Sequence, residues 1–223
     1  MTWRLTSVIS GGQTGADRGG LDAAIALDLG WGGWAPKGWR AEDGEIPLIY
    51  RERMRCSSSP DYGMRTRLNV QDSDGTLIIS FAEELTGGSA YTQKQCHEVQ
   101  KKPYVHLVLP ERGKTRVPDE VAAEVRKWIA GSRINILNVA GPRESKEPGI
   151  QEAVRDALVW MLEELAGDRH VCSFGFDCQA CGARLCWDCE APLPSGDLEI
   201  KTAVRWCKAP DCAMAQAKAY GVT

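Results

Sequence analysis

Leu5-Thr6-Ser7-Val8-Ile9-Ser10-Gly11-Gly12-Gln13-Thr14-Gly15-Ala16-Asp17-Arg18 runs from an apolar stretch through a glycine turn into a helical pattern. A strand that ends in such a turn presents free backbone N–H groups and the positive end of a helix dipole to one point in space. That arrangement suits an anion, most often a phosphate. Glycine is required because a Cβ would block the turn or hold the ligand away from the backbone. The handover recurs where Thr76-Leu77-Ile78-Ile79 leads to Leu85-Thr86-Gly87-Gly88-Ser89-Ala90-Tyr91-Thr92. A plain tight turn would also use glycines. However, Gln13, Thr14, Asp17 and Arg18 crowd the first turn, and Ser89 and Thr92 the second, which is more hydrogen-bonding equipment than a turn requires. The pair of turns points to a phosphate-bearing ligand held by Gly11, Gly12, Gln13, Thr14, Gly15, Asp17 and Arg18 on one side and Gly87, Gly88, Ser89 and Thr92 on the other.

Outward from these turns, short apolar runs alternate with amphipathic stretches to about residue 166. Strands are expected at 5–10, 32–35, 75–80, 104–109 and 134–139. Helices are expected at 17–29, 62–71, 89–101, 118–130 and 149–165, from apolar residues recurring every three to four positions. Five strands separated by helices imply right-handed crossovers and a parallel sheet covered on both faces. Ligands of such sheets bind at the carboxyl ends of the strands, where both glycine turns fall.

Three more segments are expected to line the same edge. Asn138-Val139-Ala140-Gly141-Pro142-Arg143-Glu144-Ser145-Lys146 leaves a strand and brings Gly141, Arg143 and Ser145. Trp34-Ala35-Pro36-Lys37-Gly38-Trp39-Arg40-Ala41-Glu42-Asp43-Gly44 brings Lys37 and Arg40 to neutralise an anion, and two indoles that either stack on a flat ring or are partly buried in a surface loop. Arg65-Thr66-Arg67-Leu68-Asn69-Val70-Gln71-Asp72-Ser73-Asp74 leads into the third strand, where Asp72 or Asp74 either binds ligand or caps a turn.

Taken in order, Gly-Gly-Gln-Thr-Gly-Ala-Asp-Arg, Pro-Lys-Gly-Trp-Arg-Ala-Glu-Asp-Gly, Arg-Thr-Arg-Leu-Asn-Val-Gln-Asp-Ser-Asp-Gly-Thr, Thr-Gly-Gly-Ser and Asn-Val-Ala-Gly-Pro-Arg-Glu-Ser make residues 5–166 resemble the molybdenum (cofactor) carrier protein family. That family belongs to the SLOG group of Rossmann-like nucleotide-binding domains, alongside the cytokinin-activating phosphoribohydrolases. The resemblance implies a Rossmann-like sheet, a homo-oligomer, and a site for molybdenum cofactor or a related phosphorylated ligand. The phosphoribohydrolase relatives carry Pro-Gly-Gly-x-Gly-Thr where this chain has Thr-Gly-Gly-Ser-Ala-Tyr-Thr, a departure from the hydrolase pattern.

Composition bounds the rest. A chain of 223 residues with 43% hydrophobic and 26% charged residues holds one full domain and a small appendage. The net charge of −3 offers no basic footprint for a nucleic acid backbone. No stretch approaches a membrane span and no signal-peptide core opens the chain, so a cytoplasmic protein is expected.

Only Cys56 and Cys96 precede residue 170, and both read as ordinary small side chains. After it come His170, Cys172, Cys178, Cys181, Cys186, Cys189, Cys207 and Cys212, with two residues between the members of two pairs. That spacing lets both thiolates of a knuckle reach one tetrahedral ion, and the eight groups suffice for two zinc ions. A reducing compartment disfavours disulfides, while thiolates also serve iron–sulfur clusters. The core Cys178–Cys189 looks like a RING-type or in-between-RING finger, which supports a zinc fold and not ubiquitin chemistry; the tail is expected either to recognise a protein partner or to extend an oligomer contact. The expected division is residues 1–167 as the ligand-binding domain and 168–223 as the zinc-binding module.

Two functions compete on these residues: a carrier or sensor that binds a phosphorylated heterocycle, and a hydrolase of an N-glycosidic bond in such a ligand. Hydrolysis would need a carboxylate such as Glu83, Glu84, Glu42 or Asp17 to orient water. A third reading gives the zinc tail the dominant, partner-binding role. Metal analysis of the purified chain is expected to find two zinc ions. A visible chromophore with bound iron, or a folded metal-free tail, would overturn the zinc assignment.

Overall fold

The computed structural model describes residues 4–110 and 117–165, with the backbone of two short strands, Gly175–Asp177 and Arg184–Cys186. The chain divides into two units, Met1–Gly167 and Asp168–Thr223. Within the first, the order is β1 (Ser7–Ile9), α1 (Ala16–Ala26), β2 (Gly30–Ala35), β3 (Arg40–Ala41), β4 (Gly44–Glu45), α2 (Leu48–Arg51), β5 (Met54–Cys56) and α3 (Tyr62–Asp72). There follow β6 (Gly75–Ser80), α4 (Gly87–Lys94), a π-helical turn (Gln95–Val99), β7 (Tyr104–Val108), α5 (Asp119–Gly131), β8 (Ile136–Ala140) and α6 (Ile150–Leu162).

Six strands form one sheet in the order β5-β2-β1-β8-β6-β7, every neighbouring pair parallel. The fold is Rossmann-like α/β. β6 lies between β8 and β7 and is buried along its whole length, which is why Thr76-Leu77-Ile78-Ile79 reads as a continuous β-branched and apolar run rather than an alternating one. Register pairs Val8 with Leu137 and Leu77 with Val139. Together with Ile79, these residues form the main core with Ala153, Val154, Ala157, Leu158 and Met161 of α6. The apolar positions of α6 recur at helical spacing, so one stripe faces the core.

The packing of α1 is set by small residues. A Cβ on Gly19 would lie 2.5 Å from the carbonyl oxygen of Gln151 on α6, and one on Gly20 would lie 2.7 Å from Val139 Cβ on β8. These glycines let α1 press against α6 and the sheet at once. α3 packs against β2 and β8. It begins at Asp61, whose carboxylate accepts the N–H groups of Gly63 at 3.0 Å and Met64 at 3.2 Å.

The structure adds a sixth strand to the five expected. β5 is three residues long, with Arg55 and Cys56 exposed, and carries no periodic signal; pairing of Gly33–Ala35 with Met54–Cys56 creates it. The hairpin of β3 and β4 is likewise too short to announce itself. The expected helix at 89–101 starts two residues earlier and changes to π-helical hydrogen bonding at Gln95.

In the second unit β9 (Gly175–Asp177) and β10 (Arg184–Cys186) pair antiparallel, with Leu185 opposite Phe176. The sequence-predicted metal ligands His170, Cys172, Cys178, Cys181, Cys186, Cys189, Cys207 and Cys212 lie outside the residues whose side chains are described. Among the described residues no helix is long and apolar enough to cross a membrane.

Replacing Gly19 with valine should destabilise the first unit by about 1–3 kcal/mol, because the obstruction is the backbone carbonyl of Gln151, which cannot swing aside. Denaturant unfolding of the variant beside the parent chain measures this directly.

Candidate functional site

The exits of β1, β6 and β8 meet at the carboxyl edge of the sheet, and contacts that only glycine permits hold them together. Gly15 has φ of 79°, and a Cβ there would lie 2.5 Å from the carbonyl oxygen of Pro142. The N–H of Ala16 donates to that same oxygen at 3.1 Å. The Ser10 hydroxyl donates to the carbonyl of Val139 at 2.6 Å. The β1 turn is thus stitched to the end of β8.

Most of the first glycine turn is consumed by these internal bonds. The N–H of Gln13 donates to Asp17 Oδ2 at 3.3 Å, that of Thr14 to Gln13 Oε1 at 3.0 Å, and that of Arg18 to the carbonyl of Gln13 at 3.2 Å. Arg18 donates from Nε to the carbonyl of Gly12 and forms a two-pronged pair with Asp43 at 2.6 and 2.8 Å. The space above Gly11 is filled by the Arg65 guanidinium, which pairs with Asp17 at 2.9 Å. Asp17 is buried and Arg65 is largely shielded from solvent, with side chains 4% and 15% exposed respectively.

Beside this wall lies a cleft of about 740 Å³. Gln13, Asp17 and Arg65 form one side. Thr86, Gly87, Gly88 and Ser89 form another, where α4 begins with no side-chain cap and with Gly87 and Gly88 exposed. The N–H groups of Ser89 and Ala90 donate to the carbonyl of Thr86 at 3.2 and 3.3 Å, which leaves those of Gly87 and Gly88 to suit an anion. Arg143 and Lys146, from the loop after β8, complete the rim, with the Arg143 guanidinium 5.1 Å from the centre of the Tyr62 ring.

Of the sequence-predicted residues, the structure brings Gln13, Asp17, Gly87, Gly88, Ser89, Thr92, Gly141 and Arg143 to the cleft. Gly11, Gly12 and Gly15 are buried in the glycine turn, where their space is taken by Arg65, by Ile46 and Met54, and by the Pro142–Glu144 backbone respectively. Thr14 and Ser145 both hydrogen-bond Glu42, and Arg18 is committed to Asp43. Lys37 and Arg40 are exposed and do not line the cleft. Asp74 sits at the opposite end of the sheet, where it accepts the N–H groups of Asn135 at 2.9 Å and Ile136 at 2.8 Å. It thereby ties the segment leading into β8 to the start of β6. Asp72 accepts from the indole N–H of Trp34 at 2.7 Å, away from the cleft.

Three lining residues, Tyr62, Arg65 and Lys146, sat in or beside expected segments without being singled out. The spacing of Tyr62, Arg65 and Thr66 on one face of α3 is the signal that could have found them, since residues three and four apart on a helix share a face.

Two further networks shape the rim. His106 Nε2 lies 2.7 Å from Ser80 Oγ, and that hydroxyl also donates to the carbonyl of Ala82 at 2.7 Å. Burial lowers the His106 pKa, opposed by the charge of Glu147. Glu147 itself accepts the N–H of Phe81 at 2.5 Å. On the other side, Glu42 clasps three segments: its carboxylate accepts from the Thr14 hydroxyl, and from both the N–H (3.1 Å) and the hydroxyl of Ser145, while its own N–H donates to Gln13 Oε1 at 2.8 Å. Desolvation raises the Glu42 pKa, but the bonds from Ser145 and Thr14 and the charge of Arg143 together outweigh it and hold the carboxyl below its ordinary value.

A lowered folded-state pKa means that this stabilisation is present above the unfolded pKa and is lost as pH falls through the folded one. The stability advantage of the parent chain over Glu42→Gln should therefore shrink as pH drops below about 4. Thermal unfolding of both proteins across pH 3–7 tests this; a difference that does not change with pH would show that the charge of Glu42 carries none of the clasp.

Comparison with known proteins agrees with this architecture. Residues 8–162 match the model of the circularly permutated YpsA SLOG family. A crystal structure from Syntrophus aciditrophicus, named "Putative molybdenum carrier protein", is 42% identical with a TM-score of 0.65, the alignment covering 73% of this chain and 98% of that one. No curated protein matches the sequence.

Proposed function

Because the chain belongs to the circularly permutated YpsA SLOG family, we propose that its cleft binds a small phosphorylated heterocycle and that the protein acts as a carrier or sensor of it. Molybdenum cofactor or a relative is the candidate ligand, in keeping with the carrier name of the Syntrophus protein. The observation that carries the reading is the convergence, on one cleft, of the uncapped α4 start at Gly87 and Gly88 with the cations Arg143 and Lys146. An anionic group placed there meets free N–H groups, the helix dipole and two positive charges. We assign it to the second glycine turn rather than the first, whose glycines are covered by Arg65, by Ile46 and Met54, and by the Pro142–Glu144 backbone.

Three of the cleft's four acids are engaged in structure: Asp17 is paired with Arg65, Asp61 caps α3, and Glu147 holds the backbone of Phe81. The fourth, Glu84, is exposed and lines the cleft, so it is the carboxylate on which a hydrolase reading would rest. Among the described residues no group of three or more His, Cys, Asp or Glu is arranged to hold a metal ion. Molybdenum cofactor would be recognised here through its ring and phosphate. All of these residues precede Asp168, so we assign the ligand site to residues 1–167.

Native mass spectrometry of the freshly purified chain should reveal a retained phosphorylated pterin or purine. Arg143→Ala and Lys146→Ala should each weaken its binding about tenfold, the loss of about 1.5 kcal/mol expected for one charge-assisted hydrogen bond, and the effect should diminish at high salt. A chain that arrives empty and binds no phosphorylated purine or pterin would sink the reading.

A further inference from the structure

Gln13 has only 3% of its surface exposed, and its amide orientation is set by its oxygen. Oε1 accepts the N–H of Thr14 at 3.0 Å and that of Glu42 at 2.8 Å. Turning the amide over would aim donors at donors, so the NH₂ group must point the other way. That nitrogen is shut off from water and has no partner among the described residues, and the same holds for Nε of Arg65. Both residues line the cleft. A buried donor without an acceptor is costly, and a ligand that supplies the acceptor recovers the loss on binding.

The charge at this wall decides which acceptor. Asp17 lies 2.9 Å from Arg65 Nη1 and cancels its positive charge. An anion seated here would face the Asp17 carboxylate, whereas an uncharged acceptor would not. The cations Arg143 and Lys146 are on the rim with the start of α4. The cleft thus has an end where the charges of Asp17 and Arg65 offset each other and two buried N–H groups lack an acceptor, and an end where two cations meet the start of α4.

Resting on the reading of the cleft as a ligand site, we propose that Gln13 and Arg65 select an oxo-substituted fused bicyclic ring and reject its amino counterpart. The edge they read carries a carbonyl oxygen beside a ring nitrogen, two neighbouring acceptors. A 6-oxopurine presents such an edge through O6 and N7, whereas an adenine edge replaces the oxygen with an NH₂ donor. A 4-oxopteridine presents the same pair through O4 and N5. Donor facing donor is the basis of rejection: it leaves Gln13 unsatisfied and adds a second unpaired N–H.

The test titrates the full-length protein with two matched pairs. One is inosine 5′-monophosphate against adenosine 5′-monophosphate, and the other is pterin-6-carboxylate against its 4-amino analogue. Within whichever pair binds, the oxo member should be favoured about ten- to a hundredfold, the discrimination expected of a two-point base-edge contact. The pair that binds more tightly distinguishes purine from pterin. In Gln13→Glu the carboxylate still accepts from Thr14 and Glu42 but turns an acceptor to the ring, so the preference should move to the amino member. If that variant does not fold, the parent chain alone decides. Equal binding within a pair, or a preference for the amino member, overturns the selectivity and leaves the ligand site standing. Failure of all four compounds to bind overturns the ligand reading of the cleft and this inference with it.

Discussion

The buried pair between Asp17 and Arg65 ties the candidate site together. It joins the first turn of α1 to α3 from the opposite layer, directly over Gly11, whose missing side chain makes room for the guanidinium. Removing one member of such a pair leaves an uncompensated charge in a poorly solvated place and typically costs about 3–5 kcal/mol. The pair is therefore retained in one geometry. That geometry holds Arg65 at the cleft wall and, through the second bond to Asp17, holds the backbone of Gln13 beside it.

Glycine does a different job here from the one its motif suggests. Gly11, Gly15, Gly19, Gly20 and Gly141 are places where another part of the protein occupies the volume a Cβ would need. They let the exits of three strands and two helices converge so closely that the first turn has few free amides left for a ligand. Gly87 and Gly88 have nothing near their missing side chains and remain exposed. Two turns that look alike in sequence thus divide the work, one closing the fold and the other opening toward the ligand.

The hairpin of β3 and β4 shows how a short, weakly patterned segment becomes decisive. Glu42 and Asp43 reach from it to Gln13, Thr14, Arg18 and Ser145, so its two acids lock the first turn to the loop after β8. Lys37 and Arg40, from the same segment, stay exposed. Charge placed near the cleft in sequence was a poor guide to which charges line it, because direction depends on the hairpin's path.

From residues alone, the alternation of apolar runs and helical patterns determined the parallel α/β sheet, and the strand-to-helix glycine turns marked the carboxyl edge where the cleft lies. Those features are local: periodicity and the backbone freedom of glycine act within a dozen residues. β5 escaped because three residues form a strand only when β2 is there to pair with them. Asp74 holds the backbone leading into β8 at the far end of the sheet, and Arg65 and Lys146 come to the cleft, because side-chain placement depends on helix rotation and loop path. Which turn kept its amides free was likewise decided only by tertiary structure, since that depends on what distant carbonyls and carboxylates arrive to bond them.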